Sequence, residues 1–189
     1  MSGEFKFTEG PIADAAGNVY FTDQPNDRIM VWTVDGKLET FMKPCGRSNG
    51  LFFDRKGNLI ACADEKNELW QIDVKTKKAI VLVKDYNGKL LNGPNDVWVR
   101  PDLGLYFTDP FYKRDYWKRG RIEQDVQAVY YLSPDRKSLT RVAADLVSIL
   151  PGAGSILRAP APLTWSFLAP APQPVARLDI ADQPGRVVG

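Results

Sequence analysis

Hydrophobic and polar residues alternate in short stretches along most of the chain. Residues Arg28 to Trp32 alternate as a strand with one buried face does, and Asp35-Gly36 after them is a strong signal for a two-residue hairpin turn. Val19 to Thr22 and Leu38 to Met42 have the length and composition of neighbouring strands. No segment of residues 1–145 has apolar residues at helical spacing over a length that would favour a helix instead of strands. The pattern therefore predicts an all-β fold.

The predicted strands belong to a unit that repeats. The segment Tyr20-Phe21-Thr22-Asp23 returns 86 residues later as Tyr106-Phe107-Thr108-Asp109. A second marker, Glu9-Gly10-Pro11, aligns at the same offset with Asn95-Asp96-Val97, and Asn49-Gly50-Leu51 stands between these two copies. The copies of this marker are 40 and 46 residues apart, and a mean period of about 43 residues is typical of a four-stranded propeller blade. The repeat therefore predicts a β-propeller.

The repeat places three blades at about residues 9–44, 45–90 and 91–146. The composition then changes, because residues 147–189 contain seven of the fourteen prolines and no Lys, Asn or Tyr. Proline removes a hydrogen-bond donor from a sheet and is excluded from central strands. We therefore expect residues 1–146 to form a partial propeller and residues 147–189 to form an irregular, poorly ordered tail.

The third unit departs from the repeat by an insertion from Pro110 to Gln127. Its segment Phe111 to Arg121 contains five basic residues interleaved with four aromatic ones. Such a segment could stack on single-stranded nucleic acid, but the chain has a net charge of only +2 and no nucleic-acid-binding motif. We favour a loop that folds over the channel mouth of the propeller, and we expect no nucleic-acid partner.

The composition excludes several classes of site. Histidine is absent, which removes the commonest general base, the Ser-His-Asp triad and nearly all His-bearing zinc sites. Cys45 and Cys62 lie 17 residues apart, without the spacing of a redox or metal motif, and are expected to be buried free thiols. No apolar run approaches the roughly 18 residues of a membrane span, and none resembles a signal peptide, which predicts a cytoplasmic protein without a membrane partner.

The repeated marker carries the candidate chemistry. The inner strands of a propeller run alongside its central channel, so a marker at the start of each inner strand would place Glu9, Asn49 and Asn95 around one axis. Carboxylate and amide oxygens suit a hard cation such as Ca²⁺ or Mg²⁺, and Zn²⁺ or Mn²⁺ can also bind them. In a purely structural interpretation, Asn49 and Asn95 cap backbone groups, and Asp23 and Asp109 accept backbone hydrogen bonds at strand ends. We favour the structural role for Asn49, Asp23 and Asp109, and a functional role for Asn95.

The markers in this order resemble the SMP-30/gluconolactonase/LRE family of lactone hydrolases. The resemblance covers residues 5–146 and rests on three segments: Phe7-Thr8-Glu9-Gly10-Pro11, Asn92-Gly93-Pro94-Asn95-Asp96-Val97 and Tyr106-Phe107-Thr108-Asp109-Pro110. It implies a six-bladed propeller with one divalent metal at the top of the channel, either Ca²⁺ or Zn²⁺, with Mg²⁺ and Mn²⁺ as further candidates. By this comparison the chain carries the N-terminal three of six blades.

The resemblance also implies residue roles. It makes Glu9 a metal ligand, and it makes Asn95, with Asp96 beside it, a contact for substrate or metal-bound water. The family's other ligands, an Asn in the fourth blade and an Asp in the fifth that acts as the base, have no counterpart after Leu146, where the chain continues Val147-Ser148-Ile149. The catalytic base is therefore left unassigned.

Two functions follow as hypotheses. The first is metal-dependent hydrolysis of a sugar lactone of gluconolactone type to the aldonic acid, impaired by the missing ligands. The alternative is a non-catalytic half-propeller, a fragment or interaction module from an interrupted lactonase gene. Because each blade buries its faces against its neighbours, such a half-propeller is expected to self-associate through its open faces.

Overall fold

The computed structural model describes residues 4–115 and 122–144, which form three four-stranded antiparallel sheets in sequence order. The first sheet contains β1 to β4, which are Thr8–Ala13, Val19–Asp23, Arg28–Trp32 and Leu38–Met42. The second contains β5 to β8, which are Ser48–Phe53, Leu59–Ala63, Glu68–Ile72 and Ala79–Val83. The third contains β11 to β14, which are Val97–Val99, Leu105–Asp109, Ala128–Leu132 and Leu139–Ala144.

Three short elements complete the described residues. A two-stranded hairpin of β9, Asp85–Tyr86, and β10, Lys89–Leu90, precedes the third sheet. Single 3-10 turns follow β2 and β6, at Gln24–Asn26 and Asp64–Lys66. The all-β propeller class predicted from the sequence is confirmed, whereas the predicted tail, residues 147–189, lies outside the described residues.

The strand register reproduces the sequence repeat. Ile12 pairs with Tyr20 in the first sheet, and Trp98 pairs with Tyr106 in the third, each 86 residues later. The pairing of β1 with β2 is interrupted between Glu9 and Ile12, and that of β5 with β6 is interrupted between Ser48 and Leu51. In the first two sheets the marker therefore coincides with a bulge, which bends the strand where Glu9 and Asn49 lie.

The second sheet separates two hydrophobic cores. All five residues of β6 are buried, and their side chains alternate between its faces, as a strand requires. Leu59 and Ala61 pack in a cluster with the first sheet, which includes Tyr20 and Phe41. The alternate residues of the strand, Ile60 and Cys62, pack in a cluster with the third sheet. The two cores are formed by the following aromatic and aliphatic side chains, among others: Ile29, Val31, Leu51 and Ile72 on one side, and Leu69, Val97, Phe107 and Tyr130 on the other.

The cysteines behave as the composition predicts. Cys45 and Cys62 are both free and fully buried. Burial raises the pKa of the Cys45 thiol to about 12, and it also raises the pKa of the Cys62 thiol well above its usual value. Both side chains therefore act as small neutral core residues.

Neighbouring sheets are in close contact at two glycines of the marker. A Cβ atom on Gly10 would lie 2.6 Å from the carbonyl oxygen of Asn49, and one on Gly50 would lie 2.7 Å from that of Asn95. The Gly50 N–H donates a hydrogen bond of 2.7 Å to the same Asn95 carbonyl. Gly10 also has a φ of +56°, a conformation that favours glycine. The first strands of adjacent sheets are thus in direct backbone contact.

We expect Gly50→Ala to lower the free energy of unfolding by about 1–3 kcal/mol, the usual cost of overpacking. Its φ is not left-handed, so the effect would come from the clash with the third sheet and not from backbone strain. Urea unfolding measures the change. Gly57→Asn is the control, because a side chain there meets nothing within 4 Å and Asn tolerates the φ of +79°. Equal losses in the two variants would contradict the prediction.

Candidate functional site

The three copies of the marker lie at the same end of their sheets. Strand direction alternates, so the start of the first strand and the end of the second share one end of each sheet. Glu9 and Asn49 lie at the starts of β1 and β5, and Asn95 lies two residues before β11. The end of the sheets that carries these residues is called the marker face below. The turns after β2 and β6, and the insertion after β12, begin on this face.

Hydrogen bonds to backbone groups hold the three marker residues side by side. The hydroxyl of Thr22 lies 3.1 Å from the carbonyl of Glu9 and 3.0 Å from that of Asn49, within donating distance of both. The Asn95 carbonyl accepts the bond from Gly50, as above, and the Asn95 N–H donates to the Thr108 carbonyl at 3.0 Å. Glu9, Asn49 and Asn95 therefore occupy consecutive positions along one line of contacts.

The side chains of these residues are not used by the fold. Glu9 and Asn95 are half-buried, and Asn49 is only 5% exposed. Within residues 4–115 and 122–144, none of the three side chains forms a hydrogen bond or an ion pair. The capping role that the sequence favoured for Asn49 is wrong here, because its carbonyl and not its amide makes the contact with Thr22.

Asp96, the other predicted substrate contact, is placed differently. It is exposed, and one of its carboxylate oxygens accepts the N–H of Val97 at 2.9 Å. Its backbone N–H donates to the hydroxyl of Thr108 at 3.0 Å. The same carboxylate oxygen would lie 2.6 Å from a Cβ on Gly50, so Asp96 lies against the second sheet beside Asn95.

The side-chain oxygens of the three marker residues are of the types that bind hard cations. It offers one carboxylate, from Glu9, and the amide oxygens of Asn49 and Asn95, which suit Ca²⁺ and are also accepted by Zn²⁺. In the described part of the chain, no group of three or more Cys, Asp or Glu side chains is arranged to hold a metal ion. A cation at the marker face would therefore depend on amide oxygens as well as on Glu9.

Two aspartates hold the segments that lead into the marker. Asp23 accepts the N–H groups of Lys6 and Phe7, at 3.1 and 3.4 Å. Asp109 accepts those of Asn92 and Gly93, at 2.9 and 2.8 Å. Each donor of the second pair lies 86 residues after its counterpart in the first. Both carboxylates are fully buried, which confirms the structural role favoured for Asp23 and Asp109.

The charge on Asp23 is stabilised by its partners. Arg28 forms an ion pair of 2.8 Å with it, and the Asn26 amide donates at 2.7 Å. Burial by itself would raise the pKa of this carboxyl, but the hydrogen bonds from Asn26, Lys6, Arg28 and Phe7 outweigh burial and hold the pKa below its usual value.

The insertion is fixed to the marker face at both of its described ends. The Arg114 guanidinium lies 3.2 Å from a carboxylate oxygen of Asp64, and the same oxygen accepts the Gln24 amide at 2.8 Å. These three residues come from the turns of all three sheets. On the returning side, the Gln124 amide donates to the carbonyls of Lys89 and Leu90 at 2.8 and 3.1 Å. These contacts agree with a loop on the mouth side, although Tyr116–Arg121 lie outside the described residues.

Sequence comparison places the chain in a family. The sequence profile of the SMP-30/Gluconolactonase/LRE-like region matches residues 7–153. The chain belongs to this family. A gluconolactonase from Zymomonas mobilis is 29% identical over 150 residues, which are 71% of this chain and 42% of the relative.

Solved structures agree with the sequence match. A gluconolactonase from Xanthomonas campestris superposes with a TM-score of 0.70 at 29% identity, over 74% of this chain and 48% of that one. Regucalcin from Agrobacterium tumefaciens, a calcium-binding protein, has a TM-score of 0.57 at 16% identity and supports the fold alone. This SMP-30/gluconolactonase-family chain thus spans about half the length of the relatives it matches. No helix in the described residues is long and apolar enough to cross a membrane.

We expect Asp23→Ala to lower the free energy of unfolding at pH 7 by about 3 kcal/mol, because it leaves Arg28 and two N–H groups without their buried partner. The pKa of Asp23 is lower in the folded than in the unfolded chain, so its stabilisation is complete above about pH 4 and is lost as the pH falls through the folded pKa. Urea unfolding at pH 7 and pH 3 should therefore show a smaller pH dependence in the variant. Asp35→Ala, in an exposed turn, is the control and should behave as the wild type.

Proposed function

We propose that this chain binds one divalent cation at the marker face and takes part in the hydrolysis of a sugar lactone of gluconolactone type. Family membership over residues 7–153 supports lactone hydrolysis as the class of reaction. The observation that carries the assignment of the site is that Glu9 and Asn95 are held together by the backbone while their side chains bond to no other described residue. In this proposal Glu9 is a metal ligand, and Asn95 and Asp96 contact the substrate.

The residues of this chain bind and orient the lactone. In the reaction, water adds to the lactone carbonyl carbon, the ring C–O bond breaks, and the leaving oxygen takes up a proton to give the hydroxy acid. A divalent cation, when bound, supplies Lewis-acid polarisation of the carbonyl. Glu9 contributes the negative charge of the site. The Asn95 amide can donate to a lactone oxygen and accept from a sugar hydroxyl, which fixes the ring against the marker face. The base that activates water is not among the assigned residues.

The metal-dependent activity can be tested on the purified chain by following acid release from gluconolactone. We expect hydrolysis to be lost on chelation and restored by Ca²⁺ or Zn²⁺. Glu9→Gln and Asn95→Ala should each lower kcat/KM by roughly 100-fold, as the loss of a metal ligand or its supporting group does. Glu39→Gln, on the exposed part of β4, is the control. Hydrolysis that survives both chelation and Glu9→Gln would refute the metal dependence of the reaction.

We further propose that the chain self-associates through the outer faces of its first and third sheets. On the third sheet Trp98 is 51% exposed and stacks on Tyr106, whose ring lies 4.9 Å from that of Tyr131. On the first sheet Trp32 and Leu38 are 44% and 36% exposed. The described residues of two copies would bring together six four-stranded sheets, the number that the family resemblance implies.

Light scattering of the purified chain should therefore give the mass of a dimer, and Trp98→Glu should shift it toward the monomer, because a charge replaces the largest apolar group of the face. A wild-type monomer at the concentrations of the activity assay would contradict self-association. It would not bear on the lactonase proposal, which the hydrolysis assay tests.

A further inference from the structure

Asn49 occupies the middle position among the three marker residues. In sequence it follows Glu9 by 40 residues and precedes Asn95 by 46. In space its carbonyl shares the Thr22 hydroxyl with Glu9, and the next residue, Gly50, donates to the carbonyl of Asn95. The middle sheet therefore presents an asparagine side chain where the neighbouring sheets present the predicted ligand and the predicted substrate contact.

The environment of Asn49 differs from that of other buried asparagines. Three asparagines are buried among the described residues, and all three are at most 6% exposed. The Asn67 amide donates to the Asn92 carbonyl at 3.0 Å, and the Asn92 amide donates to the carbonyls of Asp109 and Val126 at 3.1 and 3.0 Å. The Asn49 amide bonds to no residue within 4–115 and 122–144. The polar side-chain atoms of Asn49 are not among the fully buried unpaired ones, so the amide keeps some contact with solvent and is open to a ligand at the marker face.

The neighbouring polar groups do not supply that partner. The Ser48 hydroxyl donates to the Cys45 carbonyl at 2.6 Å, and the Thr22 hydroxyl is directed to backbone carbonyls. The Asp64 carboxylate is engaged by Gln24 and Arg114. Each of these groups is committed to the fold, which leaves the Asn49 amide available to an external ligand at the marker face.

We infer that the side-chain oxygen of Asn49 is a ligand of the divalent cation, between Glu9 and Asn95. This inference rests on the proposed function, because it uses the same cation. An amide oxygen is a neutral, hard donor, which adds coordination without adding charge. With Glu9 as the single carboxylate of the set, such a neutral donor increases the number of ligands at little electrostatic cost. The cation in turn satisfies an amide that the fold leaves unpaired.

The test is calorimetric titration of the metal-free chain with CaCl₂ and, separately, with ZnCl₂. Asn49→Leu, which is nearly isosteric, should weaken cation binding by roughly tenfold or more, whereas Asn49→Asp should bind at least as tightly as the wild type. Asn49→Ala is the second variant if the leucine is not accommodated.

Thermal unfolding of the metal-free proteins separates a ligand from a structural group. The Tm of Asn49→Leu or Asn49→Ala should stay close to that of the wild type, because the Asn49 side chain bonds to no described residue. Asn92→Ala is the matched control and should lower the Tm, because its amide is bonded to two carbonyls.

The outcomes distinguish this inference from the proposed function. Unchanged cation affinity in both Asn49→Leu and Asn49→Ala, or a loss of Tm as large as that of Asn92→Ala, would overturn the role of Asn49 and leave the metal site standing. A wild-type chain that binds neither cation would overturn both. Cation binding that depends on Asn49, together with chelator-resistant hydrolysis, would support the inference and refute only the metal dependence of the reaction.

Discussion

Direct backbone contact between neighbouring sheets at their inner edge is the constraint on which the rest of the arrangement depends. It is possible because Gly10 and Gly50 carry no Cβ: at each glycine, that atom would come within 2.7 Å of a carbonyl oxygen of the next sheet. Since the sheets touch there, one hydroxyl, that of Thr22, reaches carbonyls of two sheets. The marker glycine is thus a packing requirement, and the residue before it is brought next to its counterparts as a consequence.

The hydrogen bonds that fix the chain segment entering this edge recur in the first and third sheets but differ in the second. In the first and third sheets a buried aspartate at the end of the second strand receives two N–H groups of the entering segment. In the second sheet the equivalent position is Ala63, and the Asp27 carboxylate of the preceding sheet accepts the N–H groups of Cys45 and Arg47 instead, at 3.0 and 2.7 Å. The same backbone requirement is therefore met from a different element, which couples the first two sheets more closely.

Much of the fold could be predicted from the sequence, because the repeat fixes both the strand order and the register. The 86-residue offset between Tyr20 and Tyr106 reappears as equivalent strand pairs. Which side chains contact one another was harder to predict from the sequence. The link from Gln24 through Asp64 to Arg114 joins turns from three sheets, and no local pattern in the sequence indicates which turn residues meet. The sequence favoured a capping role for Asn49 because asparagine near a turn often caps backbone groups. Only the three-dimensional contacts show that its amide bonds to no described residue.

The polar residues of the marker face therefore fall into two groups with different physical roles. Asp23, Asp109 and Asp64 are buried and fully engaged, and they stabilise the folded chain. Glu9, Asn49 and Asn95 lie on the same face and contribute no side-chain bond among the described residues, so the fold does not depend on these side chains. Asn49 lies between Glu9 and Asn95, and the described residues give its side chain no partner. A cation held by Glu9 and Asn49, with Asn95 against the substrate, accounts for this arrangement.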